Sequence, residues 1–111
     1  MTTISQISDD AFPTTVLQSS IPVLVDFGSK TCGVCLANAP AVATVAGEYE
    51  GEVTIVKVDV EVSPDLASTY NVRALPTLIL FRDGEPIDRM MGHLTRSSLS
   101  KFIEKHLGDA A

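Results

Sequence analysis

Apolar residues along this chain switch between two periods, and the switches divide it into alternating strand-like and helix-like stretches. Thr2 to Ile7 reads as a first strand. Asp9, Asp10 and Pro13 then open a short helix carrying Phe12, Val16 and Leu17, with the acidic residues and the proline confined to a first turn that tolerates them. Pro22 to Phe27 is a second strand. From Cys35 to about Tyr49 the spacing of Leu36, Ala39, Val42, Ala43 and Ala46 predicts a helix, kinked at Pro40 because the ring removes one backbone bond. Val53 to Val60 is almost continuously apolar and β-branched, as a central strand covered on both faces should be. Pro64 starts a connecting helix that Asn71 ends, with Leu66, Ala67 and Tyr70 facing inward. Thr77 to Phe81 is a strand, Asp83-Gly84 a hairpin turn and Pro86 to Met91 the antiparallel partner. The last helix runs from the N-cap Thr95 through Leu99, Phe102, Ile103 and Leu107 to a C′ glycine, Gly108, leaving the tail Asp109-Ala110-Ala111. The resulting order, β-α-β-α-β-α-β-β-α, predicts a layered α/β fold with a central mixed sheet flanked by helices.

At 111 residues the chain is expected to form a single domain, 1–111, large enough for one hydrophobic core. Its apolar fraction is ordinary for a globular protein, which sets aside disordered, collagen-like and coiled-coil readings. A formal net charge of −6, without clustered Lys or Arg, argues against a nucleic-acid or anionic-membrane partner. Met1 to Pro13 hold no positive n-region and no apolar h-region, and no stretch approaches the roughly 18 apolar residues of a spanning helix. These features, with two cysteines rather than the four or more of a small secreted domain, lead to the expectation of a cytoplasmic protein.

Those two cysteines form the motif Cys32-Gly33-Val34-Cys35, placed where the second strand hands over to a helix. Free N–H groups and the helix dipole stabilise negative charge at such a position, so the first sulfur can be a thiolate near neutral pH. The second sulfur, one turn on, lies within disulfide reach. The pair can attack a partner's disulfide, form a mixed disulfide and release the partner by closing on itself. The competing readings are inert buried thiols, a static disulfide or a metal site. Zinc normally needs four ligands, and neither His93 nor His106 has a spacing that suggests a partner for the pair, so no metal or other cofactor is expected.

Val23-Leu24-Val25-Asp26-Phe27, Cys32-Gly33-Val34-Cys35, Ala39-Pro40, Val56-Lys57-Val58-Asp59, Leu75-Pro76-Thr77-Leu78, Phe81-Arg82-Asp83-Gly84 and Gly92 follow one another in the order and spacing of thioredoxins. Nearly the whole chain resembles that family, which implies the thioredoxin fold. The resemblance implies that Cys32 is the nucleophile and Cys35 a more buried resolving thiol. Asp26 interrupts an apolar strand and shares a face with Leu24, so a carboxyl there is desolvated and its pKa raised, and in thioredoxins the matching aspartate accepts the proton of the second cysteine. Lys57 lies close to that aspartate in the family. The alternative for both is a solvated residue at a strand end. Pro76 would be the family's cis-proline, the alternative being a trans proline opening a strand. Thr31, Ala74, Leu75, Val34 and Gly92 would surround Cys32 as a substrate surface, and Gly33 and Val34 would tune the thiols. Gly84 and Gly92 also read as plain turn glycines.

The chain departs from the family in three places. Thioredoxins usually carry Trp at the positions of Gly28 and Thr31 and Pro at that of Val34, and this sequence has no Trp. Two large aromatics that brace the loop and meet partners are therefore lost. The resemblance implies a monomeric protein-disulfide reductase acting on disulfide-containing proteins, with a thioredoxin reductase as electron donor. The competing function is a thioredoxin-fold binding or chaperone-like adaptor whose dithiol is a regulatory latch.

Overall fold

The structure, a computed structural model, describes residues 4–108. Five strands, β1 (Ser5–Gln6), β2 (Val23–Gly28), β3 (Thr54–Asp59), β4 (Thr77–Arg82) and β5 (Glu85–Met91), form one mixed sheet in the order β1-β3-β2-β4-β5. β1, β3 and β2 are parallel, and β4 and β5 each run antiparallel to the preceding neighbour. Three helices accompany the sheet: α1 (Gly33–Glu48), α2 (Pro64–Thr69) and α3 (Arg96–Gly108).

Strand alternation sorts the core into two layers. Leu24, Ile55, Leu78 and Leu80 meet Val42, Val45 and Ala46 of α1 and Leu99 and Ile103 of α3. Val23, Val25, Phe27, Val56, Val58, Ile79 and Phe81 point the other way, onto Phe12, Val16, Leu66 of α2 and Tyr70, which follows α2. Phe12, Tyr70 and Phe81 interlock there with ring centroids 5.0 to 5.7 Å apart. Each fully buried Val, Leu or Ile contributes roughly 1.5–3 kcal/mol, so both sheet faces are held by packing. Asp26 and Lys57 are register partners across β2 and β3. Alternation puts both on the α1–α3 side, among the leucines.

Several sequence expectations are corrected. The first strand is two residues long, although the Ile7 N–H continues its pairing to Lys57 O; Thr2 and Thr3 lie outside the described residues. The segment after it is a π-helical turn, Pro13–Leu17, closed by the Gln18 N–H donating to Pro13 O. α1 starts at Gly33, not Cys35, and continues through Pro40. Its buried positions are Asn38, Val42, Val45 and Ala46, whereas Leu36, expected inward, is 62% exposed. Gly108 closes α3 as its last residue, and the tail 109–111 lies outside the described residues. Elsewhere the local chemistry is as read. Asn71 ends α2 in the left-handed region with φ 61°, and Asp83 and Gly84 turn the hairpin with φ 53° and 80°. Thr95 caps α3 by accepting the Ser98 N–H at 3.0 Å, and the Ser98 hydroxyl accepts the Thr95 N–H in return.

Candidate active site

The sheet register gathers the conspicuous residues at one end. Gly28 finishes β2 and leads through Ser29, Lys30 and Thr31 to Cys32, while Phe27 pairs with Thr77 at the start of β4 and Thr77 with Met91 at the finish of β5. The CxxC motif, Pro76 and Gly92 therefore occupy the same end of the sheet.

Cys32 is the N-cap of α1, with extended backbone (φ −82°, ψ 108°), and its sulfur accepts the Cys35 N–H at 3.1 Å. A sulfur thus does the work usually left to a Ser or Asp oxygen. Cys32 and Cys35 are joined in a disulfide with Cα atoms 5.2 Å apart. Both cysteines are half-buried in this form. Cys35 also faces the interior. Cys35 lines a cavity of about 120 Å³ with Asp26, Gly28, Lys30, Lys57 and Asp59. A methyl group on Gly28 would lie 3.0 Å from Cys35 Sγ and 3.9 Å from Asp26 Oδ1, so Gly28 leaves the sulfur and the carboxyl facing a shared space.

Asp26 is 7% exposed, and its Oδ1 makes no hydrogen bond within the protein. Burial pushes its carboxyl up from the ordinary 3.8 to about 6, opposed by the positive charge of Lys57. Lys57 is half-buried. Both residues lie within their strands rather than at an end. The Leu75–Pro76 peptide is cis and Pro76 is buried, with Leu75 half-buried and Ala74 exposed beside it. The Thr77 hydroxyl donates to Ala74 O at 2.6 Å, closing this loop. Gly92, at φ 84°, donates its N–H to Pro76 O at 3.2 Å. Thr31 is exposed, its hydroxyl 3.3 Å from that of Ser29. Gly33 and Val34 form the exposed first turn of α1 directly after Cys32, and Met91 is an exposed apolar residue at the same end of the sheet.

Sequence reading missed Asn38. It is 2% exposed, its amide donates to Gly92 O at 2.9 Å, and its Oδ1 accepts the Leu94 N–H at 2.9 Å. The available signal was its place in the stripe three residues after Cys35 and four before Val42, a polar side chain on the inward face. His93 is exposed, and His106 pairs with Asp88, Nε2 to Oδ2 at 2.8 Å. Among the described residues no helix is long and apolar enough to cross a membrane.

Comparison with known proteins agrees with this geometry. The thioredoxin family profile matches residues 3–105. Thioredoxin 1 of Nostoc sp. is 41% identical over 107 residues, which are 96% of this chain and 100% of that protein. The thioredoxin of Synechocystis sp. is 39% identical over the same shares, and thioredoxin C-2 of Corynebacterium nephridii is 42% identical over 95% of this chain and 97% of its own. With a Cys32–Cys35 disulfide whose first cysteine caps a helix at the end of a mixed five-stranded sheet, the chain belongs to the thioredoxin family and is a thiol–disulfide oxidoreductase.

Proposed function

We propose that this oxidoreductase acts mainly as a reductase of protein disulfides, with Cys32 as nucleophile, Cys35 as resolving thiol and Asp26 as the base that serves Cys35. The Cys32 thiolate attacks one sulfur of the substrate disulfide; that S–S bond breaks and the first substrate thiolate leaves. Asp26 then takes the Cys35 proton, and the Cys35 thiolate attacks Cys32 Sγ in the mixed disulfide. The second substrate thiolate leaves, the Cys32–Cys35 bond closes, and two electrons have passed to the substrate. The observation that carries this reading is the shared cavity, in which a buried carboxyl and the Cys35 sulfur flank Gly28. The Cys32 sulfur, held by a helix-terminal N–H, is placed to ionise first.

In the same proposal Thr31, Val34, Ala74, Leu75 and Gly92 form the wall against which an extended substrate segment lies, and Gly33, Val34, Lys57 and Pro76 set the geometry and poise of the thiols. The chain works as one domain and a monomer in the cytoplasm, and a thioredoxin reductase returns its electrons. The separating experiment uses two variants in insulin reduction. Cys32→Ser is expected to abolish turnover, and Cys35→Ser to accumulate mixed disulfides that dithiothreitol releases. Turnover retained in Cys32→Ser would overturn the order of attack, and equal alkylation of the two thiols in the reduced protein would count against their division of labour.

A further inference from the structure

We propose that Asn38 is a positioning residue for substrate docking, because it clips the loop after β5 to the helix that carries the nucleophile; this rests on the reductase reading above. The sequence gives no other polar side chain to the inner face of α1 between Cys35 and Tyr49: Val42, Val45 and Ala46 share that face and are packed into the sheet. A lone amide among apolar side chains is costly to bury unless its groups are paired. Here each half of the amide has one partner, and both partners lie on the same short loop, 54 and 56 residues further along the chain.

The loop held in this way borders the site. Met91 precedes it and is 59% exposed, and His93 lies exposed between the two bonded residues. Gly92 turns at φ 84° and gives its own N–H to Pro76 O. Asn38 on α1, Gly92 on the loop and Pro76 at the head of β4 thus form a continuous hydrogen-bonded line. That line spans the three segments that would meet a docked polypeptide. A substrate lying along Leu75 reaches the Cys32 sulfur only if the loop, the proline and the first turn of α1 keep fixed separations. Leu94 anchors the far end of the loop in the core, but Gly92 has no side chain to pack, so at that residue the position rests on these bonds. Both hydrogen bonds of Asn38 go to the loop backbone and neither to a sulfur, so its effect is on where the docking wall stands.

A docked protein should feel the loss of the clip, and a small disulfide that needs only the sulfur should not. In single-turnover oxidation of the reduced protein, Asn38→Leu is expected to raise the insulin concentration for half-maximal rate about tenfold, equivalent to about 1.4 kcal/mol of docking free energy once both bonds of the clip are lost. The limiting rate with insulin and the rate with 5,5′-dithiobis(2-nitrobenzoic acid) should stay within about twofold of wild type by the same reasoning, since the thiols are untouched. Exchange of the Leu94 amide with solvent should accelerate at least about tenfold as its acceptor disappears. Asn38→Ser removes the same bonds without adding bulk and carries the same expectations if Asn38→Leu does not fold. An unchanged half-saturation with insulin, or equal losses toward insulin and the small disulfide, overturns the proposal and leaves the reductase reading standing. A wild type unable to reduce insulin overturns both.

Discussion

Burial desolvates the Asp26 carboxyl, which shares a cavity with the Cys35 sulfur. With its pKa pushed up to about 6 by burial, it is mostly ionised at pH 7 and still basic enough to draw a proton from a neighbouring thiol. Release of mixed disulfide in the wild type should therefore speed up as pH rises through about 6. In Asp26→Asn that rise should vanish and the rate at pH 7 should fall by roughly 10²-fold, the lower end of what a positioned base contributes. Stopped-flow decay of a preformed mixed disulfide measures both, and an unchanged profile in the variant would remove Asp26 from the resolving step. Asp26 was legible because a charge inside Val23-Leu24-Val25 breaks an apolar strand, and Lys57 for the same reason in β3. Asn38 was not, since an amide is less conspicuous than a charge and its partners are backbone groups more than fifty residues away. The cis geometry before Pro76 has no signature in periodicity at all; only the resemblance to thioredoxins pointed to it.

Among the elements, α1 carries most of the chemistry and was the least well read. Its stripe is rich in alanine, so hydrophobic contrast around the helix is low, and Leu36, the largest apolar residue near its start, faces solvent. The start moved two residues because Cys32 caps the helix through sulfur. β3 and β4 were plain by contrast, since interior strands covered on both faces show as unbroken apolar runs. The first-turn N–H groups of α1 have a functional consequence. Val34 retains at the second helical position a donor that proline would remove, and such donors favour the Cys32 thiolate and with it the reduced form. Val34→Pro is expected to make the reduction potential more negative by about 5–20 mV, the equivalent of a helix-terminus contribution of roughly 0.3–1 kcal/mol. Equilibration of both proteins against glutathione tests this, and a Val34→Pro protein as oxidising as the wild type would show that the extra donor has no effect on the thiolate.

For the molecule as a whole, the site and the stability of the fold are in conflict, and pH exposes the conflict. Asp26 has a folded-state pKa near 6 against 3.8 in the unfolded chain, so below pH 3.8 the carboxyl is neutral in both states and burial costs it little. As pH rises the unfolded chain ionises first. Stability is lost progressively between 3.8 and about 6 and is constant beyond, with a total of about 3 kcal/mol for a shift of this size. Asp88 works in the opposite sense. The hydrogen bond from His106 leads the groups that hold its carboxyl below the usual range, so its contribution is present at neutral pH and fades only in acid. The wild-type curve alone therefore mixes the two, and the difference between wild type and Asp26→Asn isolates the first. Denaturant titrations of the disulfide form at pH 3.5 and pH 7 should give variant and wild type similar stabilities in acid. At neutral pH the variant should lead by about 3 kcal/mol and melt on the order of 10 °C higher. A difference that does not change between these pH values would mean that the carboxyl is not desolvated in the folded protein. It would leave the packed layers around it as they are, but withdraw the basis for the proposed proton transfer from Cys35.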